Sequence, residues 1–160
     1  MKAIRVFILA AILLLMASAS CFAAWTLTPS KVDRDGHYLT WKVLCTSDGS
    51  SLAATDLVAL MPAGLANLAR GATMMIMTVV PGADAVAPDT TIDVTLSDAQ
   101  GIPIFVHAAY SNTANTTGIS LSEDFNQYPA IHSKLYLTLN DIGTAGDQVT
   151  LYFECWTEDK

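Results

Sequence analysis

Four stretches of the chain alternate apolar and polar side chains with a period of two. In the first, Leu39, Trp41, Val43 and Cys45 share one face while Tyr38, Thr40 and Lys42 share the other. Near the end of the chain Val149, Leu151, Phe153 and Cys155 oppose Gln148, Thr150, Tyr152 and Glu154. Between them, Ile92, Val94 and Leu96 oppose Asp93 and Thr95, and Leu135, Leu137 and Leu139 oppose Lys134, Tyr136 and Thr138. Successive side chains of a strand point to opposite faces, so each stretch reads as a half-buried strand with one wet face, the mark of an antiparallel sheet.

Turn chemistry separates the strands: Asp33-Arg34-Asp35-Gly36, Ser47-Asp48-Gly49-Ser50, Pro81-Gly82-Ala83-Asp84, Asp98-Ala99-Gln100-Gly101 and Asn140-Asp141-Ile142-Gly143. Gly, Asn and Asp tolerate positive φ, and Pro presets φ for a reversal. Short strands punctuated this way predict an all-β, antiparallel β-sandwich, immunoglobulin-like or jelly-roll-like, with at most one short helix. That helix falls at residues 62–70, where Pro62 opens an Ala/Leu-rich segment and Gly71 follows it.

Two segments depart from the pattern. Residues 74–80 (Met-Met-Ile-Met-Thr-Val-Val) are apolar on both faces. They fit a central strand covered on each side, or a strand whose outer face meets a partner through Met74, Met75, Ile76 and Met77. Residues 110–118 are small and polar and read as an exposed loop.

The N-terminus has the three parts of a secretory signal peptide: Lys2 and Arg5, an unbroken apolar run over residues 6–17, then the small residues Ser18, Ala19, Ser20 and Cys21 up to Ala23. The run is too short to span a bilayer comfortably. Cleavage is expected after Ala23 or Ala19, or before Cys21 if that residue is lipidated and tethers the protein to a membrane. Residues 1–23 then form the leader and 24–160 a single domain, secreted or periplasmic. Without Lys2 and Arg5, six basic residues face fifteen acidic ones, a formal charge of −9. Such a surface repels phosphate backbones, which argues against nucleic-acid binding.

Export leaves Cys45 and Cys155, a candidate disulfide in an oxidising compartment. Both face inward near the C-terminal ends of their strands, so a bond requires those strands to run parallel, side by side or across the core. A loop this long would be stabilised by about 4–5 kcal/mol in the entropy model.

Candidate chemistry is sparse. His37, His107 and His132 show no metal-ligand spacing. Asp33-Arg34-Asp35-Gly36 opens like a calcium loop, but position 44, where a closing Glu belongs, is Leu44. There is no nucleophile elbow, and the adjacent acids Glu123-Asp124 and Glu158-Asp159 point apart in extended chain. The expectation is no catalytic residue, cofactor or metal, and a domain acting through its surface on a protein partner or on itself. The alternative is a small-ligand or cation-binding protein, with the 110–118 loop near the mouth of its site.

From residue 71 onward one order of motifs stands out. It runs Met77-Thr78-Val79-Val80-Pro81-Gly82, Ala87-Pro88-Asp89-Thr90, then Ile92-Asp93-Val94-Thr95-Leu96-Ser97-Asp98-Ala99-Gln100-Gly101. Pro129, the strand ending Leu137-Thr138-Leu139, and Gly146-Asp147-Gln148-Val149 running on to Phe153 complete it. This order resembles small virion-associated structural proteins of tailed phages and prophages. The resemblance implies a non-enzymatic virion component and transfers no functional residue. Virion proteins assemble in the cytoplasm, so a leader here implies a phage-like domain reused at the envelope or outside the cell.

Overall fold

The computed structural model describes residues 24–82, 91–110, 117–120, 130–140 and 143–157. Nine strands are described: β1 (Thr26–Asp35), β2 (Tyr38–Asp48), β3 (Leu52–Asp56), β4 (Thr73–Pro81), β5 (Ile92–Ser97), β6 (Pro103–Tyr110), β7 (Thr117–Ser120), β8 (Tyr136–Asn140) and β9 (Ala145–Trp156). Two short helices, α1 (Leu57–Leu60) and α2 (Ala63–Ala69), lie between β3 and β4. No helix among the described residues is long and apolar enough to cross a membrane.

The strands form two antiparallel sheets, ordered β1-β2-β9-β4-β7 and β3-β8-β5-β6. Apart from the β1–β2 and β5–β6 hairpins, every connection switches sheets. This is the jelly-roll solution to closing a β-sandwich, with β1 added at one edge. Both alternating stretches that bear the cysteines lie at the heart of the larger sheet.

The core is the space between the sheets. Leu39, Trp41, Val43 and Cys45 of β2, and Val149, Leu151, Phe153 and Cys155 of β9, are wholly buried. They meet Ile92, Val94 and Leu96 of β5, Phe105 of β6, and Leu137 and Leu139 of β8 from the other sheet. The helical segment closes one end with Leu57, Val58, Met61, Leu65 and Ala69. Asp56 starts it: its Oδ1 accepts from Val58 N at 3.0 Å and from Leu135 N at 3.4 Å. One carboxylate thereby caps α1 and ties it to the approach to β8.

The expected helix at 62–70 is α2, with Pro62 as its N-cap rather than its first residue. The one-turn α1 adds a second helix. The 110–118 loop falls largely on residues 111–116, outside the described residues, as does most of the turn after Pro81.

The cysteine pairing is corrected. β2 and β9 are antiparallel neighbours in which Cys45 faces Val149 and Cys155 faces Leu39. The two sulfurs thus lie six residues apart along the ladder, about 20 Å at the usual strand rise. A disulfide needs Cα atoms within about 7 Å. Both cysteines are free thiols buried in the core. Both side chains point inward, as the alternation predicts, but the strands run antiparallel rather than parallel.

The methionine-rich strand is corrected in part. Met74 and Met77 are fully buried, so they cannot form an outer interface. A bulge between Met74 and Ile76 in the pairing of β4 with β9 shifts the alternation by one residue. It turns both Met74 and Met77 inward although they are three positions apart. Ile76 is left on the outer face, opposite Glu154.

Candidate functional site

The ladder register builds the outer face of the larger sheet row by row. Across β1, β2, β9 and β4 the first row reads Asp35, Tyr38, Trp156, Thr73, and the second Asp33, Thr40, Glu154, Ile76. In the third, Lys42, Tyr152 and Thr78 stand side by side, and in the fourth Leu44, Thr150 and Val80. Within β2 and β9 these are the positions that alternate with the buried ones; the pairing of the strands brings them into common rows.

Two of its exposed side chains are aromatic. Tyr38 is 54 % exposed and Trp156 38 %. They stand directly opposite one another, with ring centres 5.0 Å apart and planes at 89°. His37 lies parallel to Trp156 at 4.8 Å and 13°. Its Nδ1 is 3.2 Å from the carbonyl oxygen of Thr157. A carbonyl only accepts, so Nδ1 carries the proton in this contact. Thr157 N and Oγ1 in turn donate to His37 O at 2.7 and 3.1 Å. This clasp holds the end of β9 against the start of β2 and fixes the indole between His37 and Tyr38. Two rows along, Lys42 Nζ sits 5.7 Å from the centre of the Tyr152 ring.

The opposite sheet has an apolar exposure of its own. Ile102 and Val106, at the edge strand β6, are 60 % and 58 % exposed. Near the β5–β6 turn lie two clefts. One, of about 200 Å³, is lined by Asp98, Gln100, Ile104, His132, Ser133 and Lys134. The other, of about 300 Å³, is lined by Ala54, Ser97, Gly101 and Tyr136. Lys134 Nζ donates to Tyr136 Oη at 3.2 Å, and this hydrogen bond raises the ammonium's pKa. Asp98 Oδ1 is committed to its own turn, accepting from Gln100 N at 2.9 Å and Ile102 N at 2.8 Å.

Among the described residues no group of three or more His, Cys, Asp or Glu side chains comes together as a metal-ligand set. Asp33 Oδ1 accepts from Arg34 N at 2.7 Å, which is turn chemistry. His37 and His132 are on different parts of the molecule, and His107 lies in β6 opposite Val94. The two thiols are poor nucleophiles: burial pushes Cys45 and Cys155 up to about 12, so neither carries appreciable thiolate at neutral pH.

Sequence reasoning missed the aromatic corner. Tyr38 and Trp156 lie 118 positions apart, and no local pattern links them. The usable signal was the pair of matched alternations: aligning β2 and β9 antiparallel, with Trp41 against Phe153, puts Tyr38 against Trp156.

No protein-family model matches this chain, and no curated protein is similar to it. Among solved structures it is similar to a Streptococcus pneumoniae fucose binding module, SpX-3, at 15 % identity and a TM-score of 0.39. That likeness covers 83 % of this chain and 73 % of the other. It is also similar to the CBM22-1 xylan-binding domain of Paenibacillus barcinonensis Xyn10C, at 12 % identity and a TM-score of 0.32. Here the coverage is 85 % of this chain and 87 % of the other.

Proposed function

We propose that the chain is an exported, non-enzymatic β-sandwich that works by contact, as an interaction or structural module, through the outer face of its larger sheet. The observation that carries this reading is the Tyr38–Trp156 pair. Two large aromatic side chains stand against each other in solvent, held by the His37–Thr157 clasp, on a sheet whose other face already fills the core. Aromatic side chains release the most free energy when a partner covers them, and they dominate the centres of interfaces. Ile76 in the next row extends the same surface.

The module is secreted or periplasmic in this reading, and a phage-virion-like ancestry agrees with a role as a surface component. β1 works against open-ended strand addition. Pro29 lacks a donor, a bulge separates Lys31 from Asp33, and Lys31, Asp33, Arg34 and Asp35 charge the edge. The β1 edge is thus protected, and the adjoining face is left for contact.

The test is retention of fluorescently labelled protein on the producing cells. Tyr38→Ala should reduce retention several-fold while Val106→Ser, on the other sheet, leaves it unchanged. Equal retention of all three proteins would reject the face.

A second reading, small-ligand binding, is favoured by the cleft beside His132 and Lys134. At about 200 Å³, and about 300 Å³ for the neighbouring cleft, these clefts lie at or below the lower bound for ligand pockets, which ranks this reading second. It requires a His132→Ala change, not Tyr38→Ala, to abolish binding.

A further inference from the structure

We propose that this face docks a basic segment of another protein, with a lysine or arginine side chain seated at the corner made by Tyr38 and Trp156. The proposal rests on the reading above that the face is the working surface, and it adds the chemistry of the occupant.

Charge complementarity selects that occupant. In the row that carries both exposed rings and the row next to it, the charged positions are Asp35, Asp33 and Glu154, with no cation among them. Arg34, between the two aspartates in sequence, is opposite Leu39 and so belongs to the other side of β1. Asp33, Asp35 and Glu154 are all exposed. The single outward ammonium in the first three rows, Lys42, stands one row further on and lies against Tyr152. That contact shows on the same face the geometry a bound cation would take: an ammonium over a ring.

The rings supply what carboxylates alone lack. An aromatic face is electron-rich, and a cation placed over it is held more firmly as water leaves. His37 covers one side of Trp156, so Tyr38, the more exposed ring, is the principal contact. Flanking carboxylates add attraction and steering. The whole chain, at −7 with its leader, draws basic partners and repels a second copy of itself and anionic polymers. A neutral saccharide would gain from the rings but nothing from the three carboxylates' charge.

Isothermal titration of the purified protein with a lysine nonapeptide tests this, with a glutamate nonapeptide and xylohexaose as the other probes. The lysine peptide should bind and the glutamate peptide should not. Tyr38→Ala should weaken binding by about tenfold, within the range of a partly desolvated cation–π contact. Asp35→Asn with Glu154→Gln should weaken it comparably and flatten its salt dependence, and Val106→Ser should leave it intact. Tyr38→Phe keeps the ring and should keep binding, which serves if the alanine variant does not fold. Failure of the lysine peptide to bind overturns the proposal. So does binding indifferent to Tyr38→Ala in a folded variant, which is diffuse attraction. Binding of xylohexaose but not of the lysine peptide, lost in Tyr38→Ala, would overturn the basic partner yet keep the face. Unchanged cell retention of Tyr38→Ala would remove the face itself.

Discussion

Trp41 donates its indole N–H to the sulfur of Cys155 across 3.4 Å, inside the core. The same indole stacks on Phe153, its direct partner on β9, at 4.2 Å and 13°. Trp41 therefore buries its large apolar surface without stranding its one polar group, and Cys155 has work to do that Cys45 does not.

Cys155→Ala should accordingly destabilise the protein more than Cys45→Ala. Both lose a buried sulfur, but only the first leaves an indole N–H without an acceptor, a penalty of about 1–3 kcal/mol. Urea unfolding of the two variants measures the difference. Equal losses would mean that the N–H···S contact contributes nothing.

The thiols should be unreactive in the native protein and both reactive once it is unfolded without reductant. For the chain cleaved after Ala23, alkylation followed by intact mass expects two adducts in urea and none in buffer. A mass showing no adduct in urea would restore the disulfide and refute the antiparallel pairing of β2 with β9.

Alkaline pH should destabilise the fold through these same groups. Each thiol's pKa rises from 9.0 to about 12 on folding, chiefly because burial penalises the thiolate. A raised pKa gives stability that is whole below pH 9.0 and is lost as pH climbs towards 12, because the unfolded chain releases the proton first. The slope approaches about 1.4 kcal/mol per pH unit for each thiol. Replacing both cysteines with alanine should flatten the stability–pH curve between pH 9 and 11, relative to wild type. An unchanged slope would assign the alkaline loss to other groups.

Gly49 and Gly101 should differ in their tolerance of alanine. Both have left-handed backbone, with φ of +87° and +78°, which costs a side chain about 1–2 kcal/mol. A Cβ on Gly49 would also meet Ala145 N at 3.3 Å, whereas one on Gly101 would meet nothing within 4 Å. Gly49→Ala should therefore lower the melting temperature further than Gly101→Ala. The reverse order would place the β2–β3 turn elsewhere.

Tyr38→Ala should change stability by no more than about 1 kcal/mol, the value of one exposed aromatic pair. Thermal melts check this. A large loss would make Tyr38 a structural residue and weaken its assignment to binding.

Four strands were legible because their alternation is unbroken, as in Leu39, Trp41, Val43 and Cys45. β1 was not, since Pro29, the run of charges from Lys31 to Asp35 and a bulge erase its period. The Met74–Met77 parity was likewise hidden by a bulge that only pairing with β9 reveals. The one-turn α1 is too short to show a helical period and depends on Asp56 meeting Leu135, 79 residues away.

In the four strands with unbroken alternation, the sequence by itself determined which side chains turn inward and which outward, since that follows from a period of two. It thereby determined an all-β sandwich and the acidity of its surface. Only the tertiary structure decided which strands are neighbours and in which direction they run. Pairing is a long-range choice, made by how Trp41, Phe153 and their neighbours pack, and no local pattern encodes it. That choice separated the two sulfurs and brought Tyr38 to Trp156.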